Sequence, residues 1–593
     1  MGYKHFILVC GGTGCESSNA GSIYENLKKE ADAQGVGNDV QIVKTGCFGF
    51  CEKGPIVKVL PEEAFYVQVK PADAAEIIAE HIIKGRIVGR LQYKEEGKSF
   101  AKVDEFSFYQ KQFRIVLRNC GFINPEDIKE YIARDGYVAL EKALFAMKPD
   151  DVITELKKSG LRGRGGAGFP TWMKWNFSKV VESDEKYIVC NADEGDPGAY
   201  MDRSVLEGDP HSVIEAMTIA GYTCGAKQGY FYVRAEYPLA IHRLRVAIGQ
   251  AREMGLLGKN ILGSGVDFEL DIRLGAGAFV CGEETALLTS IEGNRGMPKP
   301  RPPFPAVKGL WNHPTVINNV ETFANIPVII NRGGDWFSSI GTEKSKGTKV
   351  FALTGKISNS GLVEVPMGTP LRDIVYNIGG GIPNGRKFKA AQTGGPSGGM
   401  ITADNLDIPI DYENLTKLGS MMGSGGLIIM DEDDCIVDVT RFYLEFSVEE
   451  SCGKCSPCRV GSPKLLWLLE KITKGNATME DLDQIKEIGQ AMKRASLCGL
   501  GQNTPNPALS SIHYFLDEYK AHIIDKRCPS GVCKDLVRYD ILDNCIGCGL
   551  CARKCPVNVI SGEKKKVHVI DQAGCIKCGE CYNVCKFDAI SRK

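Results

Sequence analysis

The 593-residue chain carries 72 Lys and Arg against 73 Asp and Glu, is 43% hydrophobic and holds 23 cysteines. At roughly 100–200 residues per domain, that length predicts about three to five domains. Near-neutrality argues against a nucleic-acid binder, no apolar run approaches the roughly 18 residues of a membrane span, and the stretch before Cys10 is too short for a signal peptide.

A cytoplasmic, reducing setting follows, where clustered cysteines are metal ligands before they are disulfides. The clusters lie toward the two ends, around a glycine-rich middle at about 100–440. HFILVC predicts a strand, GSIYENLKKEADAQG an amphipathic helix, and DVQIVKTGCFGFC a second strand running into a glycine-broken loop. Loops at strand ends then bring Cys10, Cys15, Cys47 and Cys51 together. Four thiolates suffice for a [2Fe–2S] centre. With Pro55 and the IVKVLP strand, the segment resembles the thioredoxin-like [2Fe–2S] ferredoxin module. Structural zinc is the competing reading, and neither pair has the C-x-x-C spacing of a redox dithiol.

In LRGRGGAGFPTWMK, Gly163, Gly165 and Gly168 match G-x-G-x-x-G. The preceding DVITELKKSG predicts a helix, whereas a Rossmann fingerprint follows a strand. The underlying physics survives: glycines let backbone N–H groups approach phosphates, Arg164 and Lys174 add positive charge, and Pro170 marks a helix start. The bland alternative is a flexible loop. YIVC predicts a buried strand with Asn191, Asp193, Glu194 and Asp196 at its carboxyl end, where α/β ligands sit. GYFYVRAEYP predicts another strand, and LGAGAFVCGEETALL passes from a strand through Cys281, Gly282, Glu283 and Glu284 into a helix. These carboxylates suit ribityl or ribose hydroxyls, flavin N–H groups, or simple helix capping. Asn318, Asn319 and Thr322 enter a further helix as candidate phosphate or ring contacts. Residues 345–428 read as short strands and one helix, LRDIVYNIGGG, with a structural role and no catalytic signature.

Cys452, Cys455 and Cys458 precede two helical runs, KLLWLLEKITKG and MEDLDQIKEIGQAMKRA. A hairpin of these helices returns Cys498 to the first three, a geometry for a [4Fe–4S] cluster, with zinc as the alternative. Cys528 and Cys533 with His522 make three zinc ligands, and Cys435 is the nearest unassigned fourth; two buried structural thiols are the alternative. In the tail, Cys545, Cys548, Cys551 and Cys555 repeat as Cys575, Cys578, Cys581 and Cys585. This is the bacterial two-cluster ferredoxin pattern, in which three cysteines of one run join the fourth of the other. One [4Fe–4S] cluster is assigned to Cys545, Cys548, Cys551 and Cys585, and a second to Cys575, Cys578, Cys581 and Cys555, against a zinc ribbon. Lys586 follows Cys585 where the first run has Pro556. Cys120, Cys190, Cys224 and Cys281 are expected to pack as small hydrophobes.

Six motifs in order over about 150–500, GRGGAGFPTWMKW, NADEGDPG, GEETALL, PPFPAVKGLW, INNVET and ESCGKCSPCR, resemble the NADH-binding FMN flavoprotein subunit of respiratory complex I. With the N-terminal [2Fe–2S] module and the ferredoxin tail, the whole is similar to the β subunit of NAD-dependent, electron-bifurcating [FeFe]-hydrogenases. The resemblance implies a multidomain α/β chain. Its parts would be a thioredoxin-like [2Fe–2S] domain (1–95), a Rossmann-like FMN and NAD(H) domain (100–340), a ubiquitin-like β-grasp domain (341–430), a helical [4Fe–4S] domain with the candidate zinc site (431–535) and a 2[4Fe–4S] ferredoxin domain (536–593). It also implies FMN binding by Gly163, Arg164, Gly165, Lys174, Asn191, Asp193, Glu194, Gly282, Glu283, Asn318, Asn319 and Thr322, with Asp196 beside them. NAD(H) would meet Phe169, Lys174, Phe177, Glu284 and Phe304, and Lys174 and Glu284 would be the catalytic pair. Asp196 stands where that family has glutamate and Phe279 where it has tyrosine.

The expected cofactors are FMN, NAD(H), one [2Fe–2S], three [4Fe–4S] and one Zn2+ at the candidate site. The expected function is an NAD(H):acceptor oxidoreductase, a diaphorase subunit exchanging hydride between NAD(H) and FMN and passing single electrons through clusters. Its expected partners are a hydrogenase catalytic subunit and a small thioredoxin-like [2Fe–2S] subunit in a hetero-oligomer, with ferredoxin if the assembly bifurcates. The alternatives are the same role in a formate dehydrogenase and, in a different class, a non-catalytic zinc-binding assembly protein.

Overall fold

The apolar run His5–Cys10 forms strand β1, and Ala20–Ala33 forms helix α1, which buries Ala20, Ile23, Leu27 and Ala31 along one face. Strands β2 (Val40–Thr45), β3 (Val57–Leu60) and β4 (Ala64–Tyr66) complete a sheet of order β2-β1-β3-β4, with β1 parallel to β2 and antiparallel to β3. The structure, a computed structural model, describes residues 3–95, 98–99 and 106–592. The expected domain boundary near residue 100 lies outside the described residues. The chain divides into two units, Met1–Arg386 with Ala391–Ile429, and Lys387–Ala390 with Met430–Lys593.

The run before Gly163 is a helix, Pro149–Ser159, closed by Gly160 at φ 64°. The glycine loop therefore follows a helix, as the pattern predicts. Helix α2 (Thr171–Val180) leads to strand β5 (Tyr187–Ala192), helix α3 (Met201–Gly208) and helix α4 (Pro210–Cys224), the last buried almost throughout. Strands β6 (Gln228–Arg234) and β7 (Glu269–Gly275), helix α5 (Glu284–Ile291), strand β8 (Thr315–Asn319) and helix α6 (Val320–Arg332) follow. The sheet order is β8-β5-β6-β7, with every pair parallel. The chain steps outward from β5 to β7 and then returns to the other side of β5. The crevice at the carboxyl ends of β5 and β8 is thus a topological switch point, where α/β sheets take ligands.

Strands β9 (Thr348–Gly355), β10 (Gly361–Pro366), β11 (Phe388–Thr393) and β12 (Met400–Thr402), helix α7 (Tyr412–Lys417) and strand β13 (Gly426–Asp431) build a mixed sheet of order β10-β9-β13-β11-β12. In the second unit, helices α8 (Ile436–Glu449), α9 (Ser456–Thr473), α10 (Met479–Ala495), α11 (Asn506–Tyr514) and α12 (Leu516–Ile523) pack around Leu444, Leu465, Leu469, Ile485 and Tyr519. The tail has its own small core of Val537, Tyr539, Ile560, Ile570 and Ile590 with Cys551 and Cys581. Among the described residues no helix is long and apolar enough to cross a membrane.

Candidate functional site

At the switch point Asn191 lies opposite Asn319 in register, and Asn191 Nδ2 donates to the Gly282 carbonyl (2.9 Å). Lys174, on the first turns of α2, donates to the Ile317 carbonyl (2.9 Å) and stands 3.3 Å from Glu284. The other oxygen of Glu284 accepts from Arg301 (2.7 Å). Burial pushes the Glu284 carboxyl up, but Lys174 and Arg301 together hold it below the usual carboxylate range. Phe169, Phe177 and Phe304 are 44%, 43% and 55% exposed, and the Arg301 guanidinium lies 5.8 Å from the centre of the Phe304 ring. Flat apolar faces left in water beside fixed charges suit a ligand with aromatic rings and phosphates.

Other expected contacts have their side chains committed to the protein. Glu283 caps α5, accepting from the Thr285 and Ala286 N–H groups, and Asn319 caps α6 through Glu321 and Thr322. Thr322 Oγ1 accepts from the Arg164 N–H (2.8 Å), and Asn318 Oδ1 from the Trp175 indole (2.9 Å). The Arg164 guanidinium is fully buried and donates to the Thr348 (3.0 Å), Arg162 (2.9 Å) and Lys346 (2.6 Å) carbonyls. Its charge is therefore turned away from the crevice and supports the loop from behind. Glu194 accepts from the Asp202 and Arg203 N–H groups (3.0 and 3.1 Å), with burial raising its carboxyl to about 7. Glycines leave space at the crevice: a Cβ at Gly282 would project to 3.3 Å from the Asp193 carbonyl, and one at Gly165 to 3.3 Å from the Asn319 side chain. The donor set and this glycine-lined space fit a flavin mononucleotide.

Cys10, Cys15 and Cys47 are buried and Cys51 is exposed. The Cys47 and Cys51 sulfurs lie 3.8 Å apart, and Gly49 N–H donates to the Cys47 sulfur (3.3 Å). The end of β1 and the loop after β2 thus bring the four thiols together, as the spacing predicts, and backbone donors to sulfur suit a thiolate cluster. In the helical domain Cys455 precedes α9 and Cys498 follows α10. A Cβ at Gly501 would come 3.0 Å from Cys458 Cβ, so the hairpin brings the turn just after Cys498 against Cys458. In the tail, Gly549 and Gly579 adopt φ 69° and 80°, the left-handed turn that lets the chain pass from second to third cysteine. A cavity is lined by Cys555, Cys575, Cys578 and Cys581 with Val557, Val559, Ile560 and Ile570. Cys555 therefore stands with the second run.

Cys435, His522, Cys528 and Cys533 are all buried, and their ligand atoms lie within 4.8 Å of one another. His522 Nε2 is 3.4 Å from the sulfurs of both Cys435 and Cys533, which are 3.7 Å apart. Zinc bonds of ~2.3 Å to sulfur and ~2.0 Å to nitrogen give tetrahedral edges of ~3.5–3.8 Å. His522 Nδ1 lies 2.7 Å from the Glu518 carbonyl, which holds Nε2 as the free lone pair facing the sulfurs. Hydrogen bonds with Cys435 hold the Cys528 thiol well below and the Cys533 thiol well above the usual cysteine range. The donor set fits one Zn2+.

Family models match the chain in order: Thioredoxin-like [2Fe-2S] ferredoxin at 2–81, Nuo51 FMN-binding domain at 156–328, SLBB domain at 350–401, NADH-ubiquinone oxidoreductase-F iron-sulfur binding region at 438–522 and 4Fe-4S dicluster domain at 544–589. The NADP-reducing hydrogenase subunit HndC of Solidesulfovibrio fructosivorans is 59% identical over 485 residues, 82% of this chain and 99% of that protein. The chain belongs to the family of the NADH-quinone oxidoreductase F subunits and the HndC-type hydrogenase subunits. One of the NADH-quinone oxidoreductase F subunits, that of Rhizobium meliloti (strain 1021), is 44% identical over 415 residues, 70% of this chain and 99% of that protein. Among solved structures, an NAD+-reducing [NiFe]-hydrogenase in the H2-reduced state matches with TM-score 0.62 and 29% identity, over 88% of this chain and 85% of that one. This is an oxidoreductase family, and the chain carries its flavin-binding and iron–sulfur domains.

Three residues at the site escape the motifs. Arg301 completes the ion chain on Glu284, and its only signal is a basic residue in the proline-rich run. Arg234 lies 3.4 Å from Asp193. Tyr412 donates to the Gly163 carbonyl (2.7 Å) from a segment with no site signature at all.

Proposed function

We propose that the chain is the NAD(H)-oxidising and -reducing diaphorase subunit of a cytoplasmic hydrogenase assembly. It exchanges hydride between NAD(H) and FMN and passes single electrons through one [2Fe–2S] and three [4Fe–4S] clusters to a hydrogenase catalytic subunit. A small thioredoxin-like [2Fe–2S] subunit and, in bifurcation, ferredoxin complete its partners. The observation that carries this reading is the Lys174–Glu284–Arg301 ion chain at the switch point, with the exposed Phe304 ring beside Arg301. The 59% identity to a subunit of a hydrogenase favours hydrogen over formate as the terminal substrate.

When bound, the flavin supplies conversion between two-electron hydride and one-electron chemistry. The protein's part is binding and orientation. Backbone N–H groups of Gly165–Gly168 and the positive charge of Lys174 would receive phosphate, the Gly163 and Arg164 N–H groups being taken by Phe169 and Thr322. Asn191, Asp193 and Gly282 line the floor, while Glu194, Glu283, Asn318, Asn319 and Thr322 hold that floor in shape. Glu284 stays ionised between two cations and accepts hydrogen bonds from the dinucleotide, and the phenylalanines stack on its rings.

The anaerobically purified chain is expected to carry flavin and iron and to reduce a viologen dye with NADH. Glu284→Ala is expected to lower that rate at least tenfold with FMN content retained, and Lys174→Ala to lower it at least tenfold with a fall in FMN content. Full activity in either variant would overturn the site assignment, and a colourless, zinc-only protein would overturn the enzyme reading.

A further inference from the structure

The glycine loop needs a defined shape if its N–H groups are to converge on a phosphate, yet its own glycines supply no stiffness. The fastening comes from elsewhere. Arg162 Nε donates to the Gly168 carbonyl (2.6 Å), tying the start of the loop to its end. The same guanidinium bonds Glu413 (2.6 Å) and lies 4.3 Å from the centre of the Tyr412 ring. Tyr412 Oη donates to the Gly163 carbonyl (2.7 Å). Its ring also fills the space over Gly168, where a Cβ would come within 2.8 Å, and Gly168 sits at φ 63°. Glu413 is itself held by the Ser345 hydroxyl (2.8 Å). Both residues stand in the first turn of α7, which Asp411 caps by accepting from the Asn414 N–H (2.8 Å). Burial pushes the Glu413 carboxyl up, but the Arg162 and Ser345 partners leave it below the usual range, so it is an ion at neutral pH.

We infer that Tyr412 and Glu413, from the segment matched by no flavin motif, are positioning residues for the flavin phosphate. They clamp the Gly163–Gly168 loop from outside the parallel-sheet domain. The inference rests on the reading of that loop as the phosphate site. A loop without the clamp is still part of a folded protein, but it samples more conformations, and the cost of ordering it moves from folding to cofactor binding. The β-grasp segment is then a working part of the flavin site and not a spacer.

The test is the rate of FMN release from the intact holoprotein on dilution, followed anaerobically by flavin fluorescence. Thermal unfolding and the visible cluster spectrum are recorded beside it. Tyr412→Phe keeps the ring and removes one hydrogen bond, so release is expected to be about 3- to 10-fold faster. Glu413→Gln removes a charge-assisted bond and is expected to release FMN at least as fast as Tyr412→Phe. Cluster spectra should match the wild type in both. Wild-type release rates in both variants overturn the inference, whether or not the unfolding temperature falls, because that pattern marks a purely structural contact. A wild-type protein that binds no FMN instead overturns the parent reading of the loop, and the two failures are thereby told apart.

Discussion

Asp196 is the site carboxylate with the most unusual setting. It is buried under glycine turns, so that a Cβ at Gly426 would come 3.2 Å from Oδ2, and Ser424 Oγ donates to the same oxygen (3.3 Å). Burial raises its carboxyl to about 7. The unfolded chain releases this proton near pH 4, so between about pH 4 and pH 7 the folded state holds more protons than the unfolded one. Stability from this group is therefore present at low pH and lost as pH rises through 7, with a slope of up to about 1.4 kcal/mol per pH unit. Asp196→Asn cannot ionise, so its unfolding temperature relative to wild type is expected to climb from pH 4 to pH 7. A difference that stays flat across that range would show that Asp196 is ionised in the folded protein. The sequence placed Asp196 at the carboxyl end of a strand and flagged it as a departure from glutamate. That the residue faces the glycine turns of another segment was not legible, because those turns lie about 200 positions or more away.

At the scale of elements, the periodic signals were reliable. Apolar alternation and helical spacing located β1, β5, β6, α9 and α10 because each buries one face or both. The docking of the N-terminal module was invisible to such patterns. It depends on Gly46, where a Cβ would lie 2.3 Å from Gly208 Cα at the end of α3, and on Thr13, whose N–H donates to Glu207 (3.0 Å). Two glycines back to back leave no room for a side chain. Gly46→Ala is expected to cost about 1–3 kcal/mol through overpacking and to lower [2Fe–2S] content, read by unfolding temperature and by EPR of the reduced protein. An unchanged unfolding temperature and a full signal would mean that the contact yields without strain. Residues 345–428 mark where element-level reading fell short, since their strands were legible and their hold on Gly163 was not.

For the molecule as a whole, zinc would join residues 98 positions apart, Cys435 and Cys533, and close the helical domain on itself. Closing so long a loop removes many unfolded conformations, and binding to a preformed donor set adds directly to folding. Cys533→Ser is expected to lose its zinc in metal analysis while keeping iron and flavin, and to unfold at lower temperature. Undiminished zinc would refute the site. The sequence by itself determined the chemistry wherever ligands sit close along the chain. Cysteine spacing of two or three residues within a loop constrains its own geometry, so candidate cluster ligands were legible in the spacing, while the crossed pairing came from its match to the two-cluster ferredoxin pattern. Only the tertiary structure decided which distant residues meet: Cys435 with His522, Arg301 with Glu284, Tyr412 with Gly163. Such contacts follow from strand order, register and side-chain packing across the fold, and no local pattern of residue types encodes them.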